Sequence, residues 1–540
     1  MLQITSDKRL FITYGQRSRE IFSGQLYGLV TGKYGTGTFN EQHQTAEILN
    51  FCYDWTADKF IQIIVANQDT RFLYYLFENH ESSIHLYYRT AEKNFDKEKI
   101  NENTLSLNRR ILKLALEQTC DIDYVTNKEP LTRQIATSFV LIVEDLLYLG
   151  ERLFAYSEHL AEQRMMENPI EIVVSPSEVK VQRNYHYDQV YRIMEKFFQE
   201  GFKEGLVDSQ VIKELRAQLE ICMGINYDFA GGQIFQMKRH HAPDYPLYQT
   251  IQPEALIQNL IHNGVDEQSA RNFYEGLTIS RHNKLTIKNS VYLSGSFHRY
   301  MFRPILILNK DGEERAWVGD EKWQESILVM ATNGFQWQLA PEEWKLNDCF
   351  LNYLSSKHDE HDKILEKEVI KILDKRKVCY DYHIEKLINS KGVTIDIIAN
   401  PGEIDFIIVD STVKKILVTD CKYHRARYEM TGFSNDFSHF KKYEKQMKRK
   451  LRYVADNLSL IQEHFQRLCK LTDLDLSAYK IDGLFIVNTP TFYIFNGMVK
   501  TITIGHLEEF MEDGYEFGDI TLKDKDNNSK TIKHPYFTIQ

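Results

Sequence analysis

The spacing of apolar residues along the chain changes period several times. Over 130–168 and 187–222 they recur every three or four positions, which predicts helices. The greasiest run, "SFVLIVEDLLYLGERLF" (Ser138 to Phe154), is broken by Glu144 and Asp145. It reads as a buried amphipathic helix, because a membrane span needs about 20 uninterrupted apolar residues. "PEALIQNLIHNGVDEQSARNFYEGL" predicts two more helices. The first 125 residues alternate short apolar runs with Gly and Asn turns. There "KFIQIIVANQDTRFLYYLFE" and "SIHLYYRTAE" are expected as strands or short helices of a mixed domain. "NPIEIVVSPSEVKVQRN" (Asn168 to Asn184) predicts a strand, a Pro/Ser break and a second strand. "RPILILNKDGEERAWVG" (Arg303 to Gly319) predicts a hairpin with Asp311-Gly312 as its turn.

From Leu365 the pattern tightens. "LEKEVIKILDK" places Leu365, Val369, Ile372 and Leu373 on one helical stripe. "VCYDYHI" predicts a strand, "GVTIDIIANPGEIDFIIVD" one or two more, and "KKILVTDCKYH" another, with Asp410-Ser411-Thr412 as the turn between the last two. Charged residues interrupt these apolar strands. Side chains alternate faces along a strand, so Ile416, Val418, Asp420 and Lys422 share one face and Leu417, Thr419, Cys421 and Tyr423 the other. Glu403 and Asp405 share a face on the preceding strand. If the two strands pair through the turn, Asp405 approaches Asp420 and Lys422. Two carboxylates and an ammonium then converge, and a divalent cation answers the repulsion between the acids. Hard oxygen ligands suit Mg²⁺ or Mn²⁺.

The next segment, "DFSHFKKYEKQMKRKLRYVADNLSLI", carries Phe437, Phe440, Met447, Leu451, Val454, Leu458 and Ile461 at helical spacing. Between Lys441 and Arg452 stand seven Lys/Arg and one acid, Glu444. His424, Arg425 and Arg427 extend the basic surface from the strand end. "GLFIVNTPTFYIF" then reads as the returning strand or strands.

Composition sets the frame. A chain of 540 residues suggests two to four domains, at about 150 residues each. We place them at 1–175 (mixed α+β), 176–352 (helical with a hairpin) and 353–540. Net charge is −10, yet residues 351–500 hold 25 basic against 21 acidic groups, a locally basic surface on an acidic protein. "MLQITSDKRLF" lacks the apolar run of a signal peptide. The seven cysteines are scattered with no C-x-x-C, which indicates neither a disulfide framework nor a zinc ribbon and suggests a reduced, cytoplasmic chain. "GLVTGKYGTG" fails the P-loop spacing, and the adjacent His240 and His241, read as pointing apart on a strand, make no metal site.

Glu366-x-x-Val369, Gly402-Glu403-Ile404-Asp405 and Asp420-Cys421-Lys422 together resemble the PD-(D/E)xK nuclease superfamily, over roughly residues 355–500. A lone [DE]-x-K is uninformative: Asp320-Glu321-Lys322 and Glu343-Trp344-Lys345 also match, but in polar or turn-like surroundings. The first motif has Ile404 where the name has Pro, and the third begins with Asp. The resemblance implies an α/β (α+β) multidomain protein with a C-terminal restriction-endonuclease-like mixed sheet flanked by helices. It implies Asp405 and Asp420 as metal ligands, with Glu403 as a further ligand or a neighbour. It makes Lys422 the water-associated lysine and Glu366, in preference to Glu368, the helix acid. Gln446 resembles a helix glutamine of some of these nucleases, although its spacing to Tyr453 is longer than theirs. The implied activity is Mg²⁺- or Mn²⁺-dependent endonucleolytic hydrolysis, with DNA ahead of RNA. Arg425, Arg427, Lys441, Lys442, Lys445, Gln446, Lys448 and Arg449 would contact the nucleic acid. By analogy of fold, a large unassigned region fused to such a domain suggests a prokaryotic restriction or antiphage defence effector. The competing expectations are a non-catalytic nucleic-acid-binding scaffold and a nuclease subunit silent until a partner ATPase or sensor joins. Cutting both strands would favour a homodimer. No membrane association is expected.

Overall fold

The structure, a computed structural model, describes the chain apart from residues 1, 5–8, 91–101, 177, 185–207, 242–250, 294, 338, 426, 428, 516–519, 525 and 533–540. Contacts group the chain into two units, one of residues 1–160, 172–181 and 205–358, the other of 161–171, 182–204 and 359–540. The segments 1–175 and 176–352, read as separate from the sequence, thus fall largely in one unit. Both α-helices and mixed sheets are present, as the α+β expectation requires. Among the described residues no helix is long and apolar enough to cross a membrane.

The first unit is mostly helical. The stretches 59–78 and 83–92, expected as strands or short helices, fall in two long helices, Gln42–Val65 and Thr70–Thr90, joined by residues 66–69; residues 91 and 92 lie outside the described residues. The buried set Phe60, Ile64, Phe72, Leu73, Leu76, Phe77 and Ile84 has helical spacing. Bulky aromatic neighbours with high strand propensity had masked that period. The long helix Arg133–Met165 and the pair Pro253–His262 and Glu267–Gly276 lie where the pattern put them. Within 187–222 the described part is the helix Asp208–Met223; residues 187–207 lie outside the described residues. His240 and His241 end the helix Tyr227–His241 rather than sitting on a strand. The hairpin pairs Ile305–Lys310 with Glu313–Val318. Its turn residues Asp311 and Gly312 have φ of 54° and 84°, the left-handed pair that a two-residue hairpin turn needs.

Two cysteine pairs correct the sequence reading: Cys222 is joined to Cys349 and Cys379 to Cys469, while Cys52, Cys120 and Cys421 are buried thiols. Partners 127 and 90 residues apart leave no local spacing to read.

The second unit is built on one five-stranded sheet. Helix α1 (Asp348–Arg376) enters it and leads to β1 (Cys379–Ile384). The stretch "YLSSKHDEHDK", expected before or at a helix start, lies within α1. Then come β2 (Ile404–Asp410), β3 (Lys415–Lys422), α2 (Met430–Asp456), α3 (Leu458–Leu468), β4 (Lys480–Val487) and β5 (Lys500–Thr503). The strand order is β1-β2-β3-β4-β5, with antiparallel pairing up to β3 and parallel pairing beyond it. Asp410 Oδ1 accepts from the Thr412 backbone N–H at 2.9 Å, which closes the turn between β2 and β3.

Both faces of this sheet are covered, which is why its central strands read as nearly continuous apolar runs. On one face Ile407, Val409, Ile416, Val418 and Phe485 pack with Phe440, Met447 and Val454 of α2 and Ile461 and Phe465 of α3. On the other, Phe406, Ile408, Leu417, Cys421 and Ile486 pack with Leu365, Val369 and Leu373 of α1.

Candidate active site

The β2–β3 register decides where the charged side chains go. Phe406 pairs with Thr419 and Ile407 with Val418, so one step further along the strands Asp405 faces Asp420. Paired residues of an antiparallel ladder project to the same face, here the α2 face. Gly402, at φ 93°, turns the chain into β2, and a Cβ there would stand 3.6 Å from the Arg449 guanidinium.

Asp420 is wholly buried. Asp405 is partly buried, and its Oδ2 accepts from the Cys421 backbone N–H at 2.8 Å. Lys422 lies 3.6 Å from Asp420 Oδ2 and 3.9 Å from Asp405 Oδ2. Its ammonium also stands 5.2 Å from the centre of the Tyr443 ring, within range of a cation–π attraction. Burial works against the charge on Lys422, but the Asp420 and Asp405 carboxylates outweigh it and hold its pKa above the ordinary lysine value. Asp405 moves the opposite way to its usual state. Burial and then the Asp420 charge push its pKa up to about 6, with Lys422 and Lys450 pulling against them.

Lys450 was not anticipated. It projects from the inner side of α2, its Nζ 2.5 Å from Asp420 Oδ1 and 3.6 Å from Asp405 Oδ1. Three positions after Met447 and four before Val454, it sits on the apolar stripe of the helix. A lysine at a core position was the available signal, and within a run of seven basic residues it looked like solvated surface. The sequence leads one to expect a metal ion as the missing partner of the two acids; in the structure one such partner is Lys450.

Glu366 is buried on α1, over the other face of the sheet. Its Oε2 lies 2.9 Å from His383 Nε2, while His383 Nδ1 lies 2.8 Å from Glu403 Oε1. Glu366 is thus tied to Glu403 through an imidazole. Burial depresses the His383 pKa, but the bond to Glu403 and the charge of Glu366 outweigh it and raise it. His383 sits in β1 with φ 50°, a conformation that costs a non-glycine residue of order 1 kcal/mol. Nothing in "VCYDYHI" announced this. Glu368, the alternative helix acid, is more exposed and pairs with Lys371.

The expected nucleic-acid contacts divide. Lys441, Lys442, Lys445, Gln446, Lys448 and Arg449 are exposed along α2. Lys441 also lies 3.5 Å from the buried Glu444, which accepts from the Tyr493 hydroxyl at 2.6 Å. Arg427 instead pairs with the buried Asp436 at 3.1 Å. Burial raises Asp436 to about 6 against that pairing. Arg425 is half-buried, and burial lowers its pKa.

Asp405 and Asp420 offer facing hard oxygens, and buried Asp420 Oδ2 accepts no hydrogen bond. That suits Mg²⁺ or Mn²⁺, which keep several waters and need only one or two carboxylates. Among the described residues, no three His, Cys, Asp or Glu side chains form a ready cage. Lys422 and Lys450 stand among the carboxylates where further ligands would be. No family model, curated protein or solved structure matches the chain.

Proposed function

We propose that this chain is a divalent-metal-dependent endonuclease that hydrolyses phosphodiester bonds, with DNA favoured over RNA. One observation carries the reading: Asp405, Asp420 and Lys422 converge on one sheet face under a helix whose outer side is a row of exposed basic residues. In this reading Asp405 and Asp420 hold the metal, and Glu403 lies at the rim beside His383. When bound, the metal supplies charge that polarises the scissile phosphate and makes a bound water more acidic. Lys422 stays cationic, orients the attacking water and offsets negative charge that develops on the phosphate. Lys442, Lys445, Lys448 and Arg449 hold the backbone through phosphate contacts that position it without reading sequence.

The test is incubation of the purified protein with plasmid, single-stranded DNA and RNA, with Mg²⁺ and with EDTA. Cleavage only with Mg²⁺ supports the proposal. The second reading is a non-catalytic scaffold, and the contact of Lys450 with Asp420 favours it, because the acids then have a resident counter-charge. Nucleic-acid binding unchanged by EDTA, with no cleavage under any condition, would decide for the scaffold.

A further inference from the structure

We infer that Lys450 is a built-in counter-cation of the site, a positioning residue that competes with the divalent metal for Asp405 and Asp420. The inference rests on the metal-dependent reading above and adds what sets the site's metal affinity. Two facing carboxylates, one of them wholly buried, are costly without compensating charge. Lys422 compensates from the strand itself, at 3.6 and 3.9 Å. Lys450 comes closer, 2.5 Å from Asp420 Oδ1, and also reaches Asp405 Oδ1 at 3.6 Å. It thus stands within ion-pair distance of one oxygen of each carboxylate, the two acids that would hold the metal.

Three further features show a deliberate placement rather than a stray surface lysine. Lys450 is buried, whereas Lys448, Arg449 and Arg452 around it are exposed. It stands on the same helical stripe as Met447 and Val454, which pack in the core. The helix that carries it is fixed nearby by the bond from the Tyr493 hydroxyl to Glu444. A metal ion and Lys450 would place like charges side by side on the same oxygens. Metal loading therefore requires Lys450 to withdraw from Asp420. Because Lys450 and the exposed basic row belong to one helix, nucleic acid drawn onto that row would offer the released ammonium a phosphate.

Two metal-binding measurements without nucleic acid test this. First, Mn²⁺ affinity is measured by calorimetry for wild type, Lys450→Met and Lys450→Arg. Removing a unit charge a few ångströms from the ion should tighten binding by at least about tenfold in Lys450→Met, while Lys450→Arg stays near wild type. Second, the wild-type protein is labelled with a small amine-reactive reagent in EDTA and in saturating Mn²⁺, and the Lys450 peptide is quantified by mass spectrometry. This needs no variant to fold. Lys450 should label several-fold faster with Mn²⁺. Wild-type Mn²⁺ binding with unchanged Lys450 labelling, or with Lys450→Met folded and binding no tighter, would overturn the counter-cation and leave the nuclease reading intact. Absence of Mn²⁺ binding in every form would overturn both.

Discussion

Asp405→Asn should make the protein more stable in metal-free buffer while removing the proposed activity. Asp405 titrates at about 6 in the fold against 3.8 for the unreacted side chain, a difference in proton affinity worth about 3 kcal/mol. The sign is that of a carboxyl with a raised pKa. The native state binds the proton more tightly than the unfolded state, so stability is greatest below 3.8, falls as pH rises through about 6 and is flat above. Asparagine mimics the protonated form at every pH. Its carbonyl can keep the bond from the Cys421 N–H, but its amide then points toward Lys450, which takes back part of the gain. We expect a net stabilisation of about 2 kcal/mol at pH 8, or roughly 4–8 °C in Tm for a unit of this size. The assay is thermal unfolding in EDTA at pH 8 and at pH 4.5, where the two proteins should converge. A variant less stable than wild type at pH 8 would refute the account of the carboxylate pair. Sites that hold strain for function are where such stabilising substitutions are found.

The first unit offers a contrasting test. Lys322 and Glu325 are both buried and 2.6 Å apart, with Arg109 3.1 Å from the same glutamate. Glu325→Leu should cost about 3–5 kcal/mol by stranding the buried Lys322 ammonium, whereas Glu325→Leu with Lys322→Met should recover part of it, Arg109 still lacking its carboxylate; equal losses in both would contradict this. A Cβ on Gly276 would overlap the Trp344 indole, so Gly276→Ala should cost about 1–3 kcal/mol through overpacking, read as a lower Tm. Replacing Lys445, Lys448 and Arg449 with Ala should weaken nucleic-acid binding similarly across sequences. It should also reduce the salt slope by about 3 on duplex DNA, and an unchanged slope would remove them from the interface.

The sheet of the second unit was legible because apolar runs, a turn signal and period-two alternation agreed with one another. The same alternation put Asp405, Asp420 and Lys422 on one face, and the register of β2 and β3 places them there. What escaped the sequence depended on long-range placement. Lys450 is 30 residues from Asp420 on a helix that returns over the sheet. His383 joins Glu366 to Glu403 only because β1 pairs with β2 and adopts an uncommon backbone angle. Arg427 looked like a surface charge until its buried partner Asp436 was in place. In the first unit, local propensity misled at 60–90 because aromatic residues favour strands in isolation, whereas helical burial decided the outcome.

Whether Asp405 and Asp420 form a metal-dependent nuclease centre is decided by one comparison: Mg²⁺-dependent cleavage of nucleic acid by wild type and by Asp420→Ala, purified in parallel and matched in circular dichroism. A nuclease centre there gives cleavage by wild type that EDTA stops, and none by Asp420→Ala. Equal cleavage by both proteins, or none by wild type with Mg²⁺ on any of the three substrates, would contradict it.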